Sequence, residues 1–414
     1  MNAPPACFVP RGNPHLFRSL TMHDVVIVQT CRTAVGDFGG GLKDVSPCEL
    51  GATVVRAVLE RGQVPAADVG HVVFGHVINT EPRDMYLSRV AALDGGIGEA
   101  TPAFNVNRLC GSGLQAIVSA AQALRLGDAE IAIGAGAESM SRAPYSAPAH
   151  RWGARMGDDR LVDMMVGALS DPFERHHMGV TAENVARRYG VSREEQDALA
   201  LVSHQRAARA IAEGRFEAQI VPVVRRTRQG EVVFDQDEHV RTDASVEGFG
   251  KLKPVFAKDN GTVTAGNASG INDGAAAVLM ATAEAARARG LEPLARLVSY
   301  AHAGVDPQYM GIGPVPATRL ALTRADLSLD QIDVIEANEA FAAQACAVAR
   351  ELGFDPEKLN PNGSGIALGH PIGATGAILT VKAVHELRRT GGRYALVTMC
   401  IGGGQGIAAI FERL

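Results

Sequence analysis

The chain reads as a layered α/β fold made of two βαβ halves, with a loop domain inserted in the first half. Strand-like runs (HVVFG, IAIG, DVIEA, YALV) alternate with helical apolar patterns, which is how crossover units on a mostly parallel sheet are written. The same features also recur at a nearly constant offset. Val72 and Val334 lie 262 positions apart, Gly113 and Gly376 lie 263 apart, the strands from Ile131 and Tyr394 lie 263 apart, and Gly127 and Gly391 lie 264 apart. A length of 414 residues exceeds what one hydrophobic core usually serves.

Residues 1–21 are rich in Pro and lack acidic side chains, so a disordered extension is expected before the first strand, VVIV. A helix follows in ELGATVVRAVLERG, then the strand HVVFG. NRLCGSGLQAI opens the next helix and IAIG is the next strand. From about 140 to 270 the pattern breaks into an inserted cap with a helical stretch and a basic run through Arg241, Lys251, Lys253 and Lys258. The second half repeats the scheme: helix TRLALTRADL, strand DVIEA, a glycine-rich turn opening a helix, and strand YALV. The expected units are 22–290 and 291–414.

Hydrophobic residues make up 46% and charged residues 21%, as in ordinary globular proteins, and the net charge of −5 argues against bulk nucleic-acid binding. No run reaches the roughly 18 apolar residues needed to span a bilayer. The six cysteines (Cys7, Cys31, Cys48, Cys110, Cys346, Cys400) contain no CxxC pair, so they read as reduced thiols of a cytoplasmic enzyme with no metal site.

Three residues carry chemistry. Cys110 precedes Gly-Ser-Gly and a long apolar helix, and a thiol at a helix N-terminus is biased toward thiolate by unpaired N–H groups and the helix dipole. Its structural competitor is a buried Cys beside a glycine turn. His370 lies in the glycine-rich GHPIGATG, where a backbone can approach a ligand closely and an imidazole can serve as general base. Cys400 ends the strand YALVTM and precedes IGGGQG, which no helix follows, so a nucleotide-binding reading of those glycines is weak. Asn338 and Glu339 come directly after DVIEA. Asn338 can hold a water as an oxyanion donor or simply cap a helix.

NRLCGSG, NEAFA, GHPIGATG and CIGGGQG stand in this order across nearly the whole chain from Met22. With these four motifs the sequence resembles the thiolases, most closely the bacterial biosynthetic β-ketothiolases. The resemblance implies α-β-α-β-α layering and a ping-pong reaction on CoA thioesters, in which acyl-CoA and acetyl-CoA condense reversibly to 3-oxoacyl-CoA. It implies that Cys110 takes the acyl group, His370 activates it, and Cys400 handles the α-proton of the second substrate. His370 with an Asn338-held water would form one oxyanion hole, and the N–H groups of Cys110 and Gly402 the other. Arg241 and Ser269 would contact CoA, and Met178, Phe256 and Ala340 would line the pantetheine tunnel. No metal or tightly bound cofactor is implied, and a homotetramer built from dimers is. Short to medium acyl chains are expected. The rivals are a degradative 3-ketoacyl-CoA thiolase, a non-catalytic acyl-CoA or lipid-binding protein on this scaffold, and a cysteine hydrolase, which would leave Cys400 unexplained.

Overall fold

The computed structural model describes residues 24–227 and 230–414, and the expected N-terminal extension lies outside them. Nine strands form the core: β1 (Val25–Thr33), β2 (His71–Gly75), β3 (Ala103–Val106), β4 (Ile131–Ser139), β5 (Asn272–Thr282), β6 (Ala295–Gly304), β7 (Val334–Ala337), β8 (Tyr394–Ile401) and β9 (Gln405–Arg413). Their order in one sheet is β7-β8-β9-β6-β1-β5-β4-β2-β3. The halves are pseudo-equivalent, with β1, β2, β4 and β5 answered by β6, β7, β8 and β9. Only two residue pairs, Val26 with Arg296 and Ile27 with Ala295, join β1 to β6 where the halves meet.

The expected mostly parallel sheet is corrected by the pairings. β2 runs parallel to β3 and β4, and β7 to β8. The middle of the sheet is antiparallel, as seen for β1 with β5, β5 with β4, β6 with β9 and β8 with β9. The physical reason is the connections. A tight turn at Gly402–Gly404 takes β8 back into β9, and no helical crossover separates them. Parallel pairing requires such a crossover.

Seven main helices cover these strands: α1 (Pro47–Gly62), α2 (Ser112–Leu126), α3 (Met178–Tyr189), α4 (Arg193–Ala212), α5 (Pro314–Ala325), α6 (Ala342–Leu352) and α7 (Thr375–Thr390). Strand alternation sends one set of side chains to each face. On β4, Ile131, Ile133, Ala135 and Ala137 meet α1 in one core cluster. On β8, Ala395, Val397, Met399 and Ile401 join a central cluster with Leu114, Ile117 and Leu124 of α2 and Ile378, Val381 and Val384 of α7. Leu396 faces the other way, toward Val315 of α5 and Val348 of α6. The two halves therefore sandwich α2 and α7 and carry further helices outside, giving the layers α-β-α-β-α.

The sequence echo has a steric cause. A Cβ on Gly113 would lie 2.7 Å from Ala377 N, and one on Gly376 would lie 2.3 Å from Leu114 N. These equivalent glycines let the starts of α2 and α7 touch backbone to backbone. Gly127 and Gly391 close the same helices with φ of +81° and +75°, a left-handed cap that side chains resist. Among the described residues no helix is long and apolar enough to cross a membrane.

The inserted stretch leans on the second half. Ala207 and Ala210 of α4 pack with Ala367 and Leu368. Ser203 of α4 donates to Glu339 Oε2 at 2.6 Å. Near its end the stretch is locked to β1 by Asp237, which holds the buried Arg32 guanidinium through contacts of 2.7 and 2.9 Å.

Candidate active site

Cys110 lies two residues before the first helical position of α2, as its Gly-Ser-Gly context requires. The preceding Leu109 has a φ of +45°, a left-handed conformation rare for a branched side chain and a small store of strain. Cys110 is partly buried and packs against a small apolar cluster of Ile78, Met140 and Ile372, which Leu169 also joins. The backbone N–H groups of Gly402, from the second half, and of Cys110 itself lie close enough to the sulfur to favour its charged form.

The thiolate bias expected from the helix terminus is corrected. Burial pushes the Cys110 pKa up to about 11, the two N–H groups oppose that rise, and the Glu138 carboxylate adds to it. Desolvation in the apolar lining outweighs the helix end. Cys400 ends β8, fully buried, and its thiol is pushed up still further, by burial first and by the proximity of Cys110 second. Both sulfurs therefore rest as neutral thiols.

His370 follows the short helix Gly365–Leu368 and is buried. Burial lowers its pKa to about 4, so the ring is neutral, and its surroundings fix the tautomer. Thr375 Oγ1 has one proton and donates it to Pro371 O at 2.9 Å, so it accepts from His370 Nδ1 at 2.6 Å. Nε2 is left unprotonated and accepts from Asn338 Nδ2 at 3.4 Å. The backbone N–H of His370 donates to Asn272 Oδ1 at 2.9 Å, and Asn272 Nδ2 donates to Gly36 O at 3.1 Å.

Asn338 directly follows β7, and its N–H donates to Thr398 O at 3.0 Å. It does not cap a helix, since α6 begins after Phe341. Its Oδ1 is buried without a hydrogen-bond partner among the described residues. Glu339 points elsewhere, accepting from Ser203 and from Asn360 Nδ2 at 2.9 Å, and it anchors the insertion.

The five expected catalytic residues fall into two groups, Cys110 with Gly402 and Cys400, and His370 with Asn338. Of the five expected ligand contacts, Met178, Phe256 and Ala340 share one apolar cluster with Cys400 and Phe341. A Cβ on Gly402 would meet Met178 Cε at 2.8 Å, so this wall adjoins the thiols directly. The N–H of Ser269 donates to Ala340 O at 3.0 Å. Arg241 lines a neighbouring cavity of about 160 Å³ with His204, His239, Ser245, Phe249 and Ala268. Lys251, Lys253 and Lys258 are exposed and outside that lining. Sequence reasoning missed Thr375, Asn272 and Glu138. It also missed His177, which stacks on Phe256 at 4.7 Å and accepts the Gly179 N–H at the start of α3.

Two thiols, a neutral imidazole with an unprotonated Nε2, and backbone N–H groups near a sulfur are the groups that acyl transfer and carbon acid chemistry require. Family comparison agrees. The family model described as thiolase, N-terminal domain matches residues 25–284, and that described as thiolase, C-terminal domain matches 291–413. The chain belongs to the thiolase family. It is 70% identical over 391 residues to the beta-ketothiolase BktB of Cupriavidus necator, covering 94% of this chain and 99% of that protein. It is 52% identical to an acetyl-CoA acetyltransferase of Chromobacterium violaceum over 94% of this chain and all of that protein. Among solved structures, the Bacillus anthracis acetyl-CoA acetyltransferase superposes with a TM-score of 0.93 at 47% identity, covering 95% of this chain and 99% of the other. The human mitochondrial 3-ketoacyl-CoA thiolase in complex with CoA superposes with a TM-score of 0.92 at 44% identity, covering 95% and 98%. The protein is therefore an acyltransferase of CoA thioesters, catalysing Claisen condensation and its thiolytic reversal through the acyl-cysteine route of its family.

Proposed function

We propose that Cys110 is the acyl carrier, His370 its base, and Cys400 the base toward the second substrate, in a β-ketothiolase for short to medium acyl groups. The observation that carries this is the approach of the Gly402 N–H, from the opposite half, to the Cys110 sulfur. At neutral pH the thiol keeps its proton until attack, when the unprotonated Nε2 of His370 accepts it. The sulfur bonds to the thioester carbon, the tetrahedral oxyanion collapses, and CoA leaves as its thiol with the proton from Nε2. The N–H groups of Cys110 and Gly402 that lie near the resting sulfur then serve the oxyanion, where one such donor is worth about 3–4 kcal/mol.

Cys400 passes its resting proton to His370 Nε2 and, as a thiolate, removes the α-proton of acetyl-CoA. The enolate oxygen is met by Asn338, through a water that its amide holds, and by the Nε2–H of His370. The enolate carbon attacks the acyl carbon and the Cys110 sulfur leaves, taking that proton from Nε2, while Cys400 keeps the α-proton as its thiol. Arg241 with His204 and His239 would receive the CoA phosphates, and Ser269, Met178, Phe256 and Ala340 would guide the pantetheine. No metal or tightly bound cofactor enters this scheme. Acyl groups longer than acetyl are supported by the apolar residues around Cys110 and by an adjoining cavity of about 440 Å³ lined in part by Val77, Ile78, Leu109, Met164 and Ala168. A homotetramer fits the exposed apolar side chains Met85, Tyr86, Phe104 and Trp152, and a cytoplasmic location belongs to the same reading.

The test is direct. Incubation with acetyl-CoA followed by mass measurement should place one acetyl group on Cys110, and Cys110→Ser should still bind CoA yet lose nearly all turnover. Absence of the adduct, or substantial turnover by the variant, would sink the assignment. Thiolysis rates across acyl lengths should favour short and medium chains, and a strong preference for long ones would point to the degradative enzyme.

A further inference from the structure

Glu138 lies near the end of β4, completely buried, and every neighbour that touches its carboxylate is a donor. Oε1 accepts the N–H of Ile78 at 3.1 Å, and Oε2 accepts those of Val77 at 3.1 Å and Gly373 at 2.8 Å. His76 Nδ1 lies 3.3 Å from Oε1 and 2.9 Å from Ala137 O. A carbonyl can only accept, so Nδ1 carries the proton. A protonated carboxyl here would set its own O–H against N–H groups, so the ionised form is the one that fits, although burial pulls the Glu138 pKa upward.

This carboxylate joins two pieces of the site. Val77 and Ile78 follow β2 in the first half. Gly373 belongs to the second half, three residues after His370 and two before the Thr375 that fixes its tautomer. The neighbouring Ile372 packs in the cluster against which Cys110 lies. A Cβ on Gly373 would fall 2.4 Å from Glu138 Oε2, so the turn rests directly on the carboxylate. Meanwhile His76 Nε2 is buried with no hydrogen-bond partner among the described residues, which carries a desolvation cost. The imidazole therefore does more than complete a closed network of hydrogen bonds.

We propose that Glu138, braced by His76, is a positioning residue for acyl transfer: it seats the turn carrying His370 and fixes a negative charge behind the Cys110 loop. It acts through Gly373 and touches no reacting atom. The titratable groups facing it are His76, from the end of β2, and Cys110, from the loop before α2. On β5, Asp273 pairs with Ser139, so strand alternation turns it to the opposite face, where Ser141 donates to it. The inference rests on the roles proposed for Cys110 and His370.

Glu138→Gln keeps the size of the group and removes its charge. In thiolysis its kcat should fall about 10- to 100-fold with KM held within about twofold, as for a displaced catalytic group. The pH midpoint for iodoacetamide alkylation of Cys110 should move down by about one unit once the like charge is gone. An unchanged kcat with an unmoved midpoint overturns the proposal, even if thermal stability drops, because that is what a merely structural role gives. Should this variant not fold, His76→Asn decides: it keeps the carboxylate and removes the imidazole, and kcat should fall about fivefold at constant KM. An unchanged kcat there overturns the proposal as well. Acetyl-CoA labelling of the unaltered enzyme separates the two readings. No adduct on Cys110 defeats the nucleophile assignment, whereas an adduct beside an unmoved Glu138→Gln profile defeats only this inference.

Discussion

Thr375 Oγ1 accepts a hydrogen bond from His370 Nδ1 at 2.6 Å while donating its only proton to Pro371 O. The tautomer of His370 is thus set by a hydroxyl five residues along the same turn. Thr375→Val keeps the shape and removes the acceptor, so the Nδ1 proton loses its place and Nε2 is no longer reserved for the thiol. A loss of about 10- to 100-fold in kcat is expected, as for other partners that orient a functional imidazole. Thr375→Ser should retain most activity. Steady-state thiolysis of both variants checks the pair.

The turn bearing His370 also depends on side chains that are missing. Cβ atoms on Gly75, Gly113 and Gly136 would fall 2.6, 3.1 and 2.4 Å from the carbonyl oxygen of Gly373. β2, α2 and β4 each contribute one wall of this socket. Gly136→Ala must push the turn outward, and a shift near 1 Å at a catalytic group costs on the order of 100-fold in rate. The expected outcome is a folded protein by circular dichroism with kcat reduced by about that factor. Full activity would show that the turn can yield without moving His370.

The glycines show what the sequence can and cannot convey. Their matched spacing revealed the duplication, and Cys110, His370, Cys400 and Asn338 were legible as candidates because each stands at a strand or helix end. The glycines of GHPIGATG are read from sequence as openings for a ligand. Gly376 instead admits the backbone of the other half, as Gly113 does in return, a contact between segments more than 200 residues apart that local patterning does not carry. Glu138 was invisible for the same reason, since its donors come from two distant loops. The sheet direction was misread because strand and helix alternation is shared by parallel and antiparallel arrangements once a hairpin such as β8 to β9 closes an edge. The Cys110 pKa was misread because a helix terminus is written locally, whereas the lining by Ile78, Met140, Leu169 and Ile372 is assembled from four separate segments.

The insertion's grip on β1 gives a stability prediction. Arg32 is fully buried, and its guanidinium meets Asp237 through two contacts, Gln219 Oε1 at 3.2 Å and the Phe216 ring at 4.9 Å. Asp237 also accepts the N–H of Val35 at 2.9 Å. Asp237→Ala leaves a buried cation without its counterion, and breaking such a pair typically costs about 3–5 kcal/mol. Urea unfolding should show a midpoint lowered accordingly. A change below about 1 kcal/mol, the range of exposed pairs, would mean that water reaches Arg32.

His385 supplies a pH test that is separate from catalysis. It sits in α7 with Nε2 buried and without a hydrogen-bond partner among the described residues, and burial lowers its pKa to about 4. An unfolded chain titrates this group near 6.5. Between those values the unfolded state binds a proton that the native state refuses, so this residue subtracts stability as pH falls from about 6.5 toward 4 and leaves stability untouched above 7. Other buried groups pull in both directions over the same range. Glu336, raised by burial to about 7, binds protons preferentially in the native state, so the total pH dependence does not isolate one histidine. The difference between the unaltered enzyme and His385→Gln does. Their melting temperatures should keep a constant gap above pH 7, and the gap should shift in favour of the variant with each step down from pH 6.5 to 5. A gap independent of pH across that window would show that His385 titrates alike in the folded and unfolded chain.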